Sequence, residues 1–145
     1  MVTERREPGL HGREVRRGSG LLVALLVLSG CGGTGARGAD ATTAVEAFER
    51  AVTSGRALAA CALLAPETRD ELEDSGRMTC VAALGEEQLP EGGPVRSVDV
   101  YGRQAMVTLR NDTLFLSQFP GGWRVVAAGC EPERDRPYKC QVKGA

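Results

Sequence analysis

Two kinds of periodicity divide the chain. In its first half apolar residues recur at helical spacing, and beyond the polar stretch 85–94 they alternate at the two-residue spacing of β-strands. Folded structure is predicted to begin at Asp40 with a helix in which Val45, Phe48 and Val52 share one face. The pattern therefore predicts helices first and a sheet second.

Local signals set the predicted helix boundaries. Thr43 and Glu46 have the spacing of a capping box, and Gly55 ends the first helix. Pro66 suits the first position of a helix, where its missing N–H is not needed. The later helices are predicted at 56–65, 66–76 and 79–84, and the inward residues of the first of these are Leu58, Cys61, Ala62 and Ala65.

Four runs of strand periodicity follow. They are Val95–Tyr101, Arg103–Arg110, Thr113–Phe119 and Trp123–Ala128. Connections as short as Gly102 favour an antiparallel meander, and the alternation of Ala105, Val107 and Leu109 with polar residues predicts one buried face. The predicted fold class is α+β, with the N-terminal helices packed on a curved four-stranded antiparallel sheet.

The N-terminal region has the features of an export signal. Arg13, Arg16 and Arg17 precede the apolar run Leu21–Leu28. A transmembrane helix needs roughly 20 apolar residues, so this run is too short to span a bilayer. A signal peptide is therefore predicted over residues 1–30.

The leader of this signal peptide is long and polar, which leaves two alternatives open. Translation starting at Val15 would give a compact signal peptide by itself. Arg16 and Arg17 also allow twin-arginine export, although Gly18, Ser19 and Gly20 suit that pathway poorly.

The end of the apolar run resembles the lipobox of bacterial lipoproteins. Leu28, Ser29, Gly30 and Cys31 match that four-residue pattern at each position. The resemblance implies that the Cys31 thiol receives a diacylglyceryl group, that cleavage precedes it, and that acyl chains such as palmitate anchor the protein to the outer face of the cell membrane. The alternative is an ordinary secretory cleavage site beside an unmodified cysteine. Residues 31–39 are predicted to be the lipidated cysteine and a flexible tether, and 40–145 a single domain.

The chain has 5 cysteines. If Cys31 carries lipid, four remain for disulfides in an oxidising compartment, with three possible connectivities. Local pairing of Cys61 with Cys80 and of Cys130 with Cys140 is the prediction. A zinc site is disfavoured because no C-x-x-C spacing occurs and the 1 histidine lies in the leader.

Composition narrows the range of functions. The 145 residues include 18 basic and 19 acidic ones, with a net charge of −1, and no basic patch supports nucleic-acid binding. The acidic residues at 67–74 follow helical spacing and are interpreted as a solvated face instead of a cation site. No metal ligand or cofactor is predicted.

A wider resemblance rests on the helical pattern, the cysteines and the end of the meander. The residues that carry it are Phe48, Gly55, Cys61, Leu63, Leu64, Pro66, Leu72, Cys80, Val98–Tyr101, Phe119–Arg124, Cys130, Pro137, Tyr138 and Cys140. Over residues 42–143 the chain resembles small bacterial lipoproteins of the nuclear-transport-factor-2-like superfamily. The resemblance implies a cone-shaped fold with a pocket between sheet and helices. That superfamily includes ketosteroid isomerases, polyketide cyclases and many non-enzymes.

Three residues are candidates for such a pocket. Asp99 and Tyr101 have the same parity on the first strand, and Trp123 begins the last one. The alternative is a solvent-facing Asp99, a strand-end Tyr101 and a core or rim Trp123. Because the usual constellation of His, nucleophile and base is missing, no catalytic residue is assigned.

Three functional classes follow. The first is a non-catalytic lipoprotein that binds a partner protein of the envelope or a small apolar ligand. The second is an accessory subunit of a membrane complex, and the third is a pocket enzyme of the isomerase or cyclase type.

Overall fold

A computed structural model describes residues 33–135 and 138–144, apart from the side chain of Thr34. The predicted signal peptide, its two alternative starts, the lipobox and Cys31 lie outside the described residues. The elements are α1 (Thr34–Thr53), α2 (Ala57–Leu63), α3 (Pro66–Gly76), α4 (Cys80–Glu86), β1 (Val95–Tyr101), β2 (Gln104–Leu109), β3 (Thr113–Phe119), β4 (Gly122–Glu131) and β5 (Lys139–Lys143). Within the described ranges, no helix combines the length and apolar character needed to cross a bilayer.

The fold class is α+β, as predicted, but the sheet has five strands and not four. The strands are antiparallel neighbours in the order β1-β2-β3-β4-β5. The missed strand, β5, has lysines at both ends, and Val142 is its one fully buried residue. Such a strand suits a sheet edge, where lysines discourage further pairing, but it has little apolar periodicity to predict it from sequence.

The core lies between α1 and one face of the sheet. Val45 and Phe48 on α1 are fully buried, as are Val107, Leu114 and Val125 on the strands. The predicted inward alternation of β2 is confirmed, because all of its odd-numbered residues are buried.

The helix α1 begins at Thr34, six residues before the predicted start, so most of the predicted tether is helical. Its glycines are tolerated because the first turns pack on β1: a Cβ placed on Gly38 would lie 3.7 Å from Val98 and 3.9 Å from Val100. Tertiary packing thus outweighs the poor helix propensity of glycine. The capping-box prediction is also wrong, since Thr43 lies inside the helix and its hydroxyl donates to the Ala39 carbonyl (3.0 Å).

The predicted inner face of the second helix is only half right. Cys61 and Ala65 are buried, whereas Leu58 is 76% exposed and Ala62 is also exposed. Because α2 is apolar around nearly all of its circumference, periodicity alone does not fix which side faces the core.

Both predicted disulfides are present in the structure. Cys61 and Cys80 join α2 to the first residue of α4, with a Cα–Cα distance of 6.1 Å. Cys130 and Cys140 join β4 to β5 at a paired position, with a Cα–Cα distance of 4.0 Å.

The strand β5 covers only the second half of β4, and the connection from α2 to α3 covers part of the rest. The Ala65 N–H donates to the Val125 carbonyl (2.8 Å). The next carbonyl, that of Val126, accepts from the Thr68 hydroxyl (3.0 Å) and from the Gly144 N–H (3.2 Å). The helical layer is thereby hydrogen-bonded to the sheet.

Candidate functional site

The three predicted pocket residues do not converge. Asp99 and Tyr101 share one face of β1, as predicted, but Val98 and Val100 on the other face are the ones that pack against the core. Tyr101 is 68% exposed, while Trp123 is buried in the core with 6% exposure. The structure therefore separates Trp123 from the other two.

A different polar cluster lies at the C-terminal end of α1. Its first member is Asp112, in the turn between β2 and β3, with 6% of its surface exposed. The Asp112 carboxylate accepts hydrogen bonds from the N–H groups of Thr113 (2.6 Å), Gly129 (3.1 Å) and Cys130 (2.9 Å). One buried carboxylate thus fastens the β2–β3 turn to β4 beside the second disulfide.

The second member is Glu49 on α1. Its Oε2 accepts from the Gly92 N–H (2.9 Å), in the loop before β1. A Cβ on Gly92 would lie 2.1 Å from Leu109 Cδ1 and 2.8 Å from Glu49 Oε2, so a larger residue would displace one or both of these side chains.

The loop that carries Gly92 is fixed to the β2–β3 turn by further hydrogen bonds. The Asn111 N–H donates to the Gly92 carbonyl (2.9 Å), and the Asn111 side-chain amide donates to the Glu91 carbonyl (3.0 Å). The Arg110 N–H donates to the Pro94 carbonyl (3.0 Å). The geometry around Glu49 is therefore held by the backbone.

Burial raises the pKa of the Glu49 carboxyl. The hydrogen bond from Gly92 opposes this change, whereas the charges of Asp112 and Glu91 add to it. Burial also raises the pKa of Asp112, against the effect of its three hydrogen bonds from backbone N–H groups. Both carboxyls hold a proton more tightly here than in water.

An open groove runs past Glu49. Its apolar part has a volume of about 200 Å³, and its polar part about 480 Å³. The apolar part is lined by Val45, Pro94, Val95 and Leu109 together with Glu46, and the polar part by Thr53, Glu91, Gly92, Arg110 and Asn111. Glu49, Arg50 and Gly93 line both parts, and the whole is called the Glu49 groove below.

Sequence reasoning missed both carboxylates. From the sequence, neither Glu49 nor Asp112 is assigned a functional role. Their partners Gly92, Gly129 and Cys130 are far away in the sequence, so no local spacing reports the cluster. The adjacent glycines at 92 and 93 are the one local signal of a close backbone approach.

Comparisons of the chain with protein-family models, with curated proteins and with solved structures gave no match. Across residues 33–135 and 138–144, no group of three or more His, Cys, Asp or Glu side chains is arranged to hold a metal ion.

Proposed function

We propose that the chain is a lipid-anchored extracytoplasmic domain of a bacterial envelope that binds a partner protein without catalysis. The match of residues 28–31 to a lipobox supports the anchor, and the two disulfides are compatible with an oxidising compartment. Membership of the nuclear-transport-factor-2-like superfamily, with its curved sheet, belongs to the same proposal.

One observation carries the binding role. The space between α1 and the sheet is filled by side chains such as Phe48, Leu114 and Leu116, each less than 2% exposed. The Glu49 groove, by contrast, is open and has an apolar part and a charged part. An open groove of this kind suits a segment of a protein better than a small apolar ligand, which prefers an enclosed site.

The chemistry of the groove indicates its occupant. Glu49 uses Oε2 for Gly92, and no side chain or backbone group among the described residues donates to Oε1. A lysine or arginine of the partner fits this arrangement, because its charge pairs with the carboxylate while its aliphatic stem lies along Val95 and Leu109. We therefore assign the groove to a basic segment with apolar neighbours.

Peptide binding tests this assignment. The acetylated peptide Leu-Lys-Leu-Lys should shift the NMR amide signals of Gly92, Gly93 and Asn111, and Leu-Glu-Leu-Glu should not. Glu49→Gln should weaken binding about tenfold, the size expected for losing a charged hydrogen bond. Glu71→Gln makes the same charge change on an exposed site of α3 and should leave binding unchanged. Equal shifts with both peptides, or none, would refute the assignment.

The anchor has its own test. Cys31→Ser should leave the precursor uncleaved and without lipid, because serine lacks the thiol that accepts the diacylglyceryl group. Mass measurement and detergent partitioning report both changes. A wild-type protein found free in the medium with a first residue other than Cys31 would rule out the lipoprotein assignment.

An accessory subunit of a membrane complex is the second proposal, and it uses the same anchor and groove. Cross-linking in native membranes distinguishes the two proposals. A subunit should give one cross-linked species of fixed stoichiometry, whereas a binding domain should give a cross-linked fraction that rises with the concentration of its partner. The pocket-enzyme class gains no support from the described residues, because Asp99 and Tyr101 lie across the sheet from Trp123.

A further inference from the structure

Covalent geometry fixes where the anchor meets the domain. Gly33 is the first described residue, and α1 begins at Thr34. A fully extended chain advances at most about 3.6 Å per residue, so the Cα of Cys31 lies within about 7 Å of the Cα of Gly33 in any conformation. If Cys31 is lipidated, the first turn of α1 lies at the membrane surface.

Two arginine side chains form hydrogen bonds near this end of α1. Arg37 donates from Nη1 to the carbonyl of Gly102 in the β1–β2 turn (2.9 Å). Arg103 in the same turn donates from Nη2 to the carbonyl of Gln118 near the end of β3 (2.6 Å), and the Gln118 N–H donates back to the Arg103 carbonyl (2.8 Å). Residues 37, 101–103 and 118 thus form one surface, called the anchor-side end below.

The exposed chemistry of the anchor-side end suits lipid headgroups. Among the large hydrophobic side chains of the described residues, Tyr101 is one of the two most exposed, at 68%. Tyrosine prefers the interface between water and hydrocarbon. Arg37 and Arg103 each use one nitrogen in the hydrogen bonds above, and a guanidinium has five N–H donors, so both retain donors for phosphate.

The acidic neighbours of this surface are Asp40 and Asp99. Asp40 is one turn beyond Arg37 on α1, and Asp99 lies two residues before Tyr101 on the same strand face. They balance the two arginines in number but stand farther from the turn at Gly102. The arginines and the tyrosine are therefore the groups placed to meet the bilayer first.

We infer that the anchor-side end is a membrane-contacting surface that orients the domain. The Tyr101 ring lies among the headgroups, and Arg37 and Arg103 contact lipid phosphates. Glu49 is 15 residues along α1 from Thr34, about 22 Å at 1.5 Å per residue, so the Glu49 groove faces away from the bilayer. This inference rests on the proposed anchoring.

Paramagnetic lipids test the orientation. The mature chain, coupled through Cys31 to a maleimide lipid, is placed on vesicles of 70% phosphatidylcholine and 30% phosphatidylglycerol that carry a headgroup spin label. The amide signals of Gly102 and Arg103 should broaden, and those of Gly92 and Asn111 should not. Equal broadening at both ends, or stronger broadening at Gly92, would overturn the inference.

Variants test the side chains. Arg37→Gln with Arg103→Gln, and separately Tyr101→Ser, should each reduce the broadening at Gly102, and the arginine pair should weaken vesicle binding of the uncoupled domain about fivefold per residue. Arg110→Gln, an exposed arginine of the Glu49 groove, is the matched control and should change neither quantity. Unchanged broadening in all variants would show that the anchor alone sets the position.

Experiments on the maleimide-coupled protein also distinguish a failure of this inference from a failure of the proposed anchor. If the coupled chain shows the expected pattern but the native Cys31 carries no lipid, the surface exists and the anchor fails. If the native protein is lipidated and the coupled chain shows no preferred face, the anchor stands and the surface fails.

Discussion

The two ends of α1 are built by different means. At the Glu49 groove, carboxylates with raised pKa values accept hydrogen bonds from backbone N–H groups, and Gly92 leaves room for the side chains of Leu109 and Glu49. At the anchor-side end, long side chains reach backbone carbonyls across the surface. This difference predicts that substitutions at the groove end lower stability more than substitutions at the anchor-side end.

The largest expected effect is at Asp112. Asp112→Ala leaves three buried N–H groups without an acceptor and should lower the free energy of unfolding by about 3 kcal/mol, given a cost of about 1–3 kcal/mol for an unpaired buried group. Asp112→Asn keeps one oxygen and should cost less. Urea unfolding measures both.

The matched change at the other end is Asp40→Ala, on an exposed site of the first half of α1. It should alter the free energy of unfolding by no more than about 0.5 kcal/mol. A loss at Asp40 as large as that at Asp112 would remove the contrast between the two ends.

Substitutions at two glycines, Gly92 and Gly38, should give the next largest effects on stability. Gly92→Ala drives a Cβ into Leu109 and Glu49 and should cost about 1–3 kcal/mol, as overpacking does. Gly38→Ala, in a helix, places its Cβ at ordinary contact distance from Val98 and Val100. This substitution should raise the free energy of unfolding by up to about 1 kcal/mol. Opposite shifts of the urea midpoint are expected, and shifts of the same sign would contradict the comparison.

The smallest expected effect is the dependence of the free energy of unfolding on pH. The raised pKa values of Glu49 and Asp112 mean that the folded chain binds protons more tightly than the unfolded chain. Stability should therefore increase as pH falls from neutral through the folded-state pKa values, and this gain is complete below the ordinary values of 4.5 and 3.8. Measuring the free energy of unfolding across this range checks the sign.

Glu49→Gln should flatten this dependence, because the amide oxygen still accepts from Gly92 but no longer titrates beside Glu91 and Asp112. Arg50 and Arg110 also line the groove. Asp40→Asn is the control for removal of one negative charge. An unchanged slope in Glu49→Gln would show that the Glu49 carboxyl does not contribute.

The sheet could largely be predicted from sequence because strand alternation is local. The bounds of β1 and β3 agree with the predicted runs, and Pro66 and Gly76 bound α3 as expected. The failures are tertiary in origin. The start of α1 depends on packing of Gly38 against β1, and β5 depends on pairing with β4 and on the Cys130–Cys140 disulfide.

The candidate site was beyond sequence reasoning for a related physical reason. Glu49 and Asp112 gain their properties from burial and from backbone groups such as Gly92 and Gly129, not from neighbours in the chain. From sequence alone, a charged residue with polar neighbours is predicted to lie at the surface. Tyr101 is a pocket candidate from its parity on the first strand, but the face on which it lies depends on which side of β1 receives α1.

The carbonyl of Val126 links two parts of the chain that are synthesised at different times. It joins Thr68, which is translated early, to Gly144, which is translated late, and residues 139–143 complete the sheet edge beside it. Until residues 139–143 have paired, β4 therefore presents an open edge. Such an edge is prone to pair with other chains, so β5 also protects the sheet from such pairing.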